Sequence, residues 1–153
     1  MIVIADSNII VSALIKPKGS IALIFKDRSN LQFIAPTQLL EEVREHWGVI
    51  VNASPLSVRE LYAEMDFYKT RITFIETKNV PQEYAKQAYK IVVDIDEDDA
   101  DFIALHLYKK HKLWTGDRKM IKGLLAKGYD ICVTTDQLKE KLYKKQHNTD
   151  MGD

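Results

Sequence analysis

Cysteine is almost absent from this chain of 153 residues. Cys132 stands alone, which excludes an internal disulfide and a thiolate zinc site and fits a cytoplasmic chain. Glycine and proline are scarce, at 6 and 4 residues, roughly half their usual share. That argues against disorder, collagen-like sequence and a loop-rich all-β architecture. An excess of either charge is also missing, with 22 Lys and Arg facing 22 Asp and Glu. Bulk charge therefore cannot bind nucleic acid, and any such contact must be local. No run approaches the ~18 apolar residues that span a membrane. The opening Met1 to Ala5 meets Asp6 with no basic leader, so neither a membrane anchor nor a targeting segment is expected.

What remains is 46% hydrophobic and 29% charged, enough to bury the core of one compact domain. The domain is expected over residues 1–145, with Gln146 to Asp153 a frayed tail. Charge is unevenly placed along it. Residues 1–101 carry 11 basic and 16 acidic side chains, a balance of −5, and residues 102–145 carry 11 basic against 4 acidic, or +7. An acidic body thus precedes a basic end, whose lysines are by default solvated helix faces.

Short apolar runs alternate with helical patterns. Ile2 to Ala5 reads as a strand covered on both faces, ended by Asp6-Ser7-Asn8. Ser7 or Asn8 caps a helix through Leu14, and Ser20 starts another through about Lys26. Leu31 to Ala35, Ile72 to Ile75, Lys112 to Thr115 and Ile131 to Val133 read as further strands. Between them lie a helix capped by Thr37 with apolar Leu39, Leu40, Val43 and Trp47, then one from Leu56 to Tyr68 and one from Pro81 to about Tyr89. Helices from about Phe102 to Lys110 and from Lys119 to Ala126 follow, the latter stopped at Lys127-Gly128, and Thr135 caps a last one toward Lys145. Such alternation implies an α/β fold with a parallel sheet between two layers of helices.

In an open parallel sheet, ligands bind beyond the carboxyl ends of the strands. Asp6 and Asp117 occupy two such ends, although an acid at a strand-to-helix turn is also an ordinary N-cap. The segment Asp94, Asp96, Glu97, Asp98, Asp99, Asp101 sets six carboxylates at a helix start, where the dipole favours only one or two. A divalent cation would relieve their repulsion, with Asp98 or Asp99 the member placed to reach the strand ends and Asp101 facing solvent. Glu42 borders the apolar face of its helix, while Glu41 and Glu45 share that helix and Glu45 lies further out. Carboxylates without cysteine and without a His-Glu-x-x-His pair suit oxygen-preferring Mg²⁺ or Mn²⁺ rather than zinc. His46, His106, His111 and His147 have no ligand spacing and read as surface or helix-face residues.

Four stretches together resemble the PIN-domain family of metal-dependent ribonucleases. They are Asp6-Ser7-Asn8 after the first strand, Pro36 to Glu42-Val43, Asp98-Asp99-Ala100-x-Phe102-Ile103-Ala104-Leu105, and Trp114-Thr115-Gly116-Asp117-Arg118-Lys119. The likeness implies a three-layer α/β/α fold with a five-stranded parallel sheet in the order 3-2-1-4-5. It implies Asp6, Glu42, Asp99 and Asp117 as catalytic, metal-holding carboxylates for Mg²⁺ or Mn²⁺, with Asp99 preferred because Ala100 and Ala104 follow it at the family's offsets. Asn8, Thr115 and Asp98 would support that set. Ser7 stands where the family often has Thr, and His106 where a small residue is common.

The resemblance further implies an endoribonuclease that cuts single-stranded RNA to a 5′-phosphate and a 3′-hydroxyl. Small members act as toxins held by an antitoxin protein, as in VapBC pairs, and homodimers are common. Lys109, Lys110, Lys112, Arg118, Lys119 and Lys122 surround Asp117 in the sequence and are expected to track RNA beside it. Aliphatics between Leu56 and Phe67 serve either core packing or a partner surface. The rival reading is a PIN-like module that binds nucleic acid or protein without cutting it. A haloacid-dehalogenase-type enzyme would need a second Asp where Asn8 stands, and a receiver domain a phospho-accepting Asp at the end of the third strand, where Glu76-Thr77 stands.

Overall fold

The structure, a computed structural model, describes residues 1–27 and 30–151, with side chains as far as residue 143. Strands β1 (Ile2–Ala5), β2 (Gln32–Pro36), β3 (Ile72–Ile75), β4 (Leu113–Trp114) and β5 (Cys132–Val133) form one parallel sheet in the order β3-β2-β1-β4-β5. The helices are α1 (Ser7–Ile15), α2 (Ser20–Lys26), α3 (Gln38–Glu45), α4 (Trp47–Ala53), α5 (Val58–Arg71), α6 (Gln82–Val92), α7 (Ala100–Lys109), α8 (Arg118–Ala126) and α9 (Thr135–Met151). This is the α/β architecture and the strand order expected from the resemblance.

β1 lies at the centre, with Val3 beside Phe33 of β2 and Ala5 beside Trp114 of β4. Covered on both faces, it can be apolar throughout, and Val3, Ile4 and Ala5 are buried. α1 packs against α2, α3, α4 and α5 on one face, while α7, with α6 alongside, lies across β2, β1 and β4 on the other. Phe25, Phe33, Tyr68 and Trp114 form an aromatic cluster in the core, with ring centroids 4.4 to 5.8 Å apart. Among the described residues no single helix is long and apolar enough to cross a membrane. The apolar pair α1 and α2 bends by 105° and is largely buried in the core.

Several boundaries differ from the sequence pattern. The helix expected to run through Trp47 breaks at His46, which ends α3 and begins α4. α5 starts at Val58 because Ser57 and Glu60 form a reciprocal capping box. Thr37 holds the cap position of α3 without a side-chain cap bond. Thr134 rather than Thr135 caps α9, exchanging hydrogen bonds with Gln137 of 2.9 and 3.2 Å. α9 continues to Met151 instead of stopping near Lys145, and of the expected frayed tail residues 152–153 lie outside the described ones. The apolar side chains of α5 divide between core and surface. Leu61, Met65 and Tyr68 are buried, while Val58, Tyr62 and Phe67 are exposed and Tyr62 packs on Trp47 at 4.9 Å.

Candidate active site

The strand order reverses at β1, between β2 and β4, and a crevice opens there beyond the carboxyl ends. It holds a cleft of about 260 Å³ lined by Asp6, Ser7, Asn8, Gln38, Glu42, Glu45, His46, Asp96, Asp98, Asp99 and Asp117. Asp6, Glu42, Asp99 and Asp117, separated in sequence by up to 111 positions, thus meet in one cavity. A wider groove of about 500 Å³, between the α1–α2 turn and the start of α9, contains one acid, Asp136.

Asp6 is the best-held member. β1 extends its ladder to it through a 3.1 Å bond from its backbone N–H to the Trp114 carbonyl. Its Oδ1 accepts the Ser7 N–H at 2.8 Å and so caps α1, while Oδ2 accepts the Thr115 hydroxyl at 2.7 Å. Capping and cleft placement therefore coincide in one carboxylate. Thr115, itself fully buried, accepts from the Asn8 amide at 3.2 Å and the Asp117 N–H at 3.1 Å, which uses its full hydrogen-bonding capacity. Asn8 in turn accepts from Gly116 N–H at 3.4 Å. Burial raises the pKa of Asp6 despite these donors, because residual desolvation outweighs them.

Glu42 projects from α3, held by the Ser7 hydroxyl, which donates to Oε2. This link gives Ser7 a place in the site that its reading as a Thr replacement missed; the available signal was a hydroxyl directly after a strand-end acid. Burial first, then repulsion from Asp6, Asp98 and Glu45, pushes the Glu42 carboxyl up to about 7. His46, exposed as expected, also lines the cleft. Its Nδ1 lies 2.8 Å from the Glu42 carbonyl, which can only accept, so Nδ1 carries the proton. Glu45, expected further out, reaches the cleft wall, as does Gln38.

The six-acid segment divides its tasks. Asp94 pairs with Lys127. Asp96 accepts the Asp98 N–H at 3.0 Å and starts a 3₁₀ turn over Glu97–Asp99 that leads into α7. Asp98 is exposed at the cleft rim, whereas Asp99 is buried with 8% of its surface accessible. Asp101 departs from expectation. It is half-buried, and burial with the Glu41 charge raises its pKa. The Asp99 carboxyl is pushed up to about 8, by burial first and then by Asp6, Asp96, Asp117 and Glu42.

Asp117 caps α8 through its Oδ1, which accepts the Met120 N–H at 3.1 Å. Arg118, Lys119 and Lys122 are exposed on the opening turns of that helix. Lys109, Lys110 and Lys112 do not accompany them, which corrects the expectation of one continuous basic flank. α7 begins at the cleft and runs roughly 15 Å away from it at 1.5 Å per residue. Residues at its end, and Lys112 just before β4, therefore stand at the amino edge of the parallel sheet. Lys109 lies there over the Tyr108 ring, 4.8 Å from its centroid. His106 is half-buried with Nδ1 2.7 Å from the His111 carbonyl.

The donor set suits a divalent cation. Among the described residues no Lys or Arg lines the cleft, and two buried carboxylate oxygens, Glu42 Oε1 and Asp99 Oδ2, have no hydrogen-bond partner. Such oxygens are hard ligands, and leaving them unpaired is unfavourable. Among the described residues, no three acidic, histidine or cysteine side chains converge closely enough to hold one ion as they stand. Carboxylates that raise one another's pKa also push one another apart.

No curated protein sequence matches the chain significantly. Among solved structures, a chain in the crystal structure of VapBC2 from Rickettsia felis, bound to a DNA fragment from their promoter, shares the fold. The TM-score is 0.59 at 19% identity, covering 88% of this chain and 97% of that one. The PIN-domain family pattern matches residues 4–143, which include Asp6, Glu42, Asp99 and Asp117. With the match spanning nearly the whole length, this chain belongs to the PIN-domain family.

Proposed function

We propose that this protein is a Mg²⁺- or Mn²⁺-dependent endoribonuclease that hydrolyses phosphodiester bonds of single-stranded RNA in the cytoplasm. One observation carries the reading: Asp6, Glu42, Asp99 and Asp117, from four separate elements, meet in a cleft that, among the described residues, has no Lys or Arg and holds two buried oxygens without a partner. In this reading Asp6 and Asp99 hold the ion, and Glu42 and Asp117 hold it directly or through water. Thr115 and Asn8 fix the orientation of Asp6, Ser7 that of Glu42, and Asp98 lies at the rim. Bound Mg²⁺ or Mn²⁺ supplies activation of water and relief of charge on the phosphate at neutral pH. Without a cation, burial and mutual repulsion push the Glu42 and Asp99 carboxyls up to about 7 and about 8, so binding of the ion at these carboxylates is coupled to release of protons. Arg118, Lys119 and Lys122 provide the local positive charge along which the RNA backbone lies. The products are a 5′-phosphate and a 3′-hydroxyl.

In the same reading the protein is the toxin of a toxin–antitoxin pair. The fold shared with a VapBC2 chain supports this, and exposed Val58, Tyr62 and Phe67 on α5 offer an apolar face for a small antitoxin or a second copy. The test is cleavage of unstructured RNA by purified protein with Mn²⁺. Asp6→Asn and Asp99→Asn are expected to lower the rate by at least about 100-fold while leaving thermal stability unchanged or raised. A parent protein inert across metals and RNAs would favour the binding module instead.

A further inference from the structure

α8 carries Asp117 as its N-cap, and its other end is fastened to the segment that leads into Asp99. Three features make the fastening. Gly123 faces Ile95 so closely that a Cβ there would lie 2.8 Å from Cδ1, 3.0 Å from Cγ1 and 3.4 Å from Cγ2. The two short contacts fall on the Cγ1–Cδ1 branch of Ile95, so a Cβ at position 123 forces that branch to move and disturbs the packing of the two segments. One turn further, on the same helix face, Lys127 donates to the Ile91 carbonyl at the end of α6 at 2.6 Å and pairs with Asp94. Gly128, at φ +86°, then stops the helix, with its N–H on Leu125 O at 2.9 Å and that of Tyr129 on Leu124 O at 2.9 Å. This reciprocal pair is a Schellman stop, and it fixes where the Lys127 side chain begins.

Short-range bonds carry the position onward. Ile95 and Asp96 N–H both bond to Val92 O at 2.8 Å, and Asp99 N–H to Asp96 O at 3.1 Å. A movement of Ile95 is therefore passed to Asp99. We infer that α8 is a strut that sets the separation of Asp117 from Asp99, with Gly123 and Lys127 as positioning residues for the divalent cation. As a surface ion pair, Lys127 with Asp94 contributes little stability by itself; its effect lies in where it holds residues 91–95.

The inference rests on the metal-dependent reading, and the sign of one measurement separates it from plain electrostatics. Removing a cation beside an acidic cluster should tighten Mn²⁺ binding by Coulomb attraction alone, whereas releasing the strut should weaken it. Mn²⁺ dissociation constants are measured by electron paramagnetic resonance well below each variant's melting temperature, together with kcat and KM for RNA. Lys127→Met and Gly123→Ala are each expected to weaken Mn²⁺ binding by about tenfold and to lower kcat with KM for RNA little changed. Lys127→Arg restores binding, and adding Ile95→Val to Gly123→Ala removes the 2.8 Å overlap and recovers part of it. Lys127→Met and Gly123→Ala proteins that bind Mn²⁺ as tightly as the parent, or more tightly, overturn the strut while leaving the nuclease reading intact. A parent protein that takes up no Mn²⁺ overturns both.

Discussion

Asp99→Asn offers the sharpest probe of the cleft electrostatics, because it removes the carboxyl whose burial and neighbours hold it near pH 8. Unfolded, that carboxyl titrates near 3.8; folded, near 8. Between those values the native state binds the additional proton, so stability is fully present below about pH 4 and is lost as pH rises toward 8. Each pH unit of the interval is worth about 1.4 kcal/mol, and a carboxyl isolated in a dry core would lose roughly 6 kcal/mol across it. Asp99 opens on a cleft that solvent enters, so about 2 kcal/mol is the expected loss. For a domain of this size that lowers Tm by about 6 °C between pH 4 and pH 8.5 in metal-free buffer. The assay is thermal unfolding followed by circular dichroism in chelated buffers. Asp99→Asn should raise Tm at pH 8.5 by about 6 °C and leave it nearly unchanged at pH 4, flattening the profile. Parallel profiles for parent and variant would show that Asp99 ionises without penalty and would refute the reasoning.

Thr115→Val leaves Asp6 Oδ2, the Asn8 amide and the Asp117 N–H each short of a partner. Urea unfolding should show a loss of about 2–3 kcal/mol, and Thr115→Ser should recover most of it. Ser7→Ala removes a donor that lowers the Glu42 pKa; the carboxyl then rises above 7, and the acidic limb of the kcat/KM profile for RNA cleavage should move up by about one pH unit. Arg118→Ala with Lys119→Ala should make the plot of log binding constant against log salt shallower by about 1.4, near 0.7 per lost phosphate contact on a single strand. Lys109→Ala with Lys110→Ala, at the opposite edge of the sheet, should leave that slope unchanged in the same filter-binding assay.

Local pattern carried much of the architecture. Ile2 to Ala5 is apolar at every position because both faces of β1 are covered, and that continuity alone marks a central parallel strand. Asp6 and Asp117 announce themselves by standing where a strand gives way to a helix, and both indeed cap the helix that follows. The break at His46 was not legible, since the periodicity of Leu39, Val43 and Trp47 runs straight through it. The capping at Thr134 was equally hidden by the neighbouring Thr135, a residue of the same chemistry one position away.

By itself, then, the sequence determined the alternation of strands and helices, the strand-end acids and the stock of carboxylates, because burial and capping act over a few residues and leave a periodic trace. The tertiary structure alone decided which of those acids share a cavity, that Ser7 reaches Glu42 across 35 positions, that Asp99 is buried while Asp98 is exposed, and that Gly123 lies against Ile95. It also parted two groups of lysines close in sequence, Lys109, Lys110 and Lys112 from Arg118, Lys119 and Lys122. The reason is geometric: β4 runs between them, so one group lies at its amino end and the other beyond its carboxyl end, where the cleft opens.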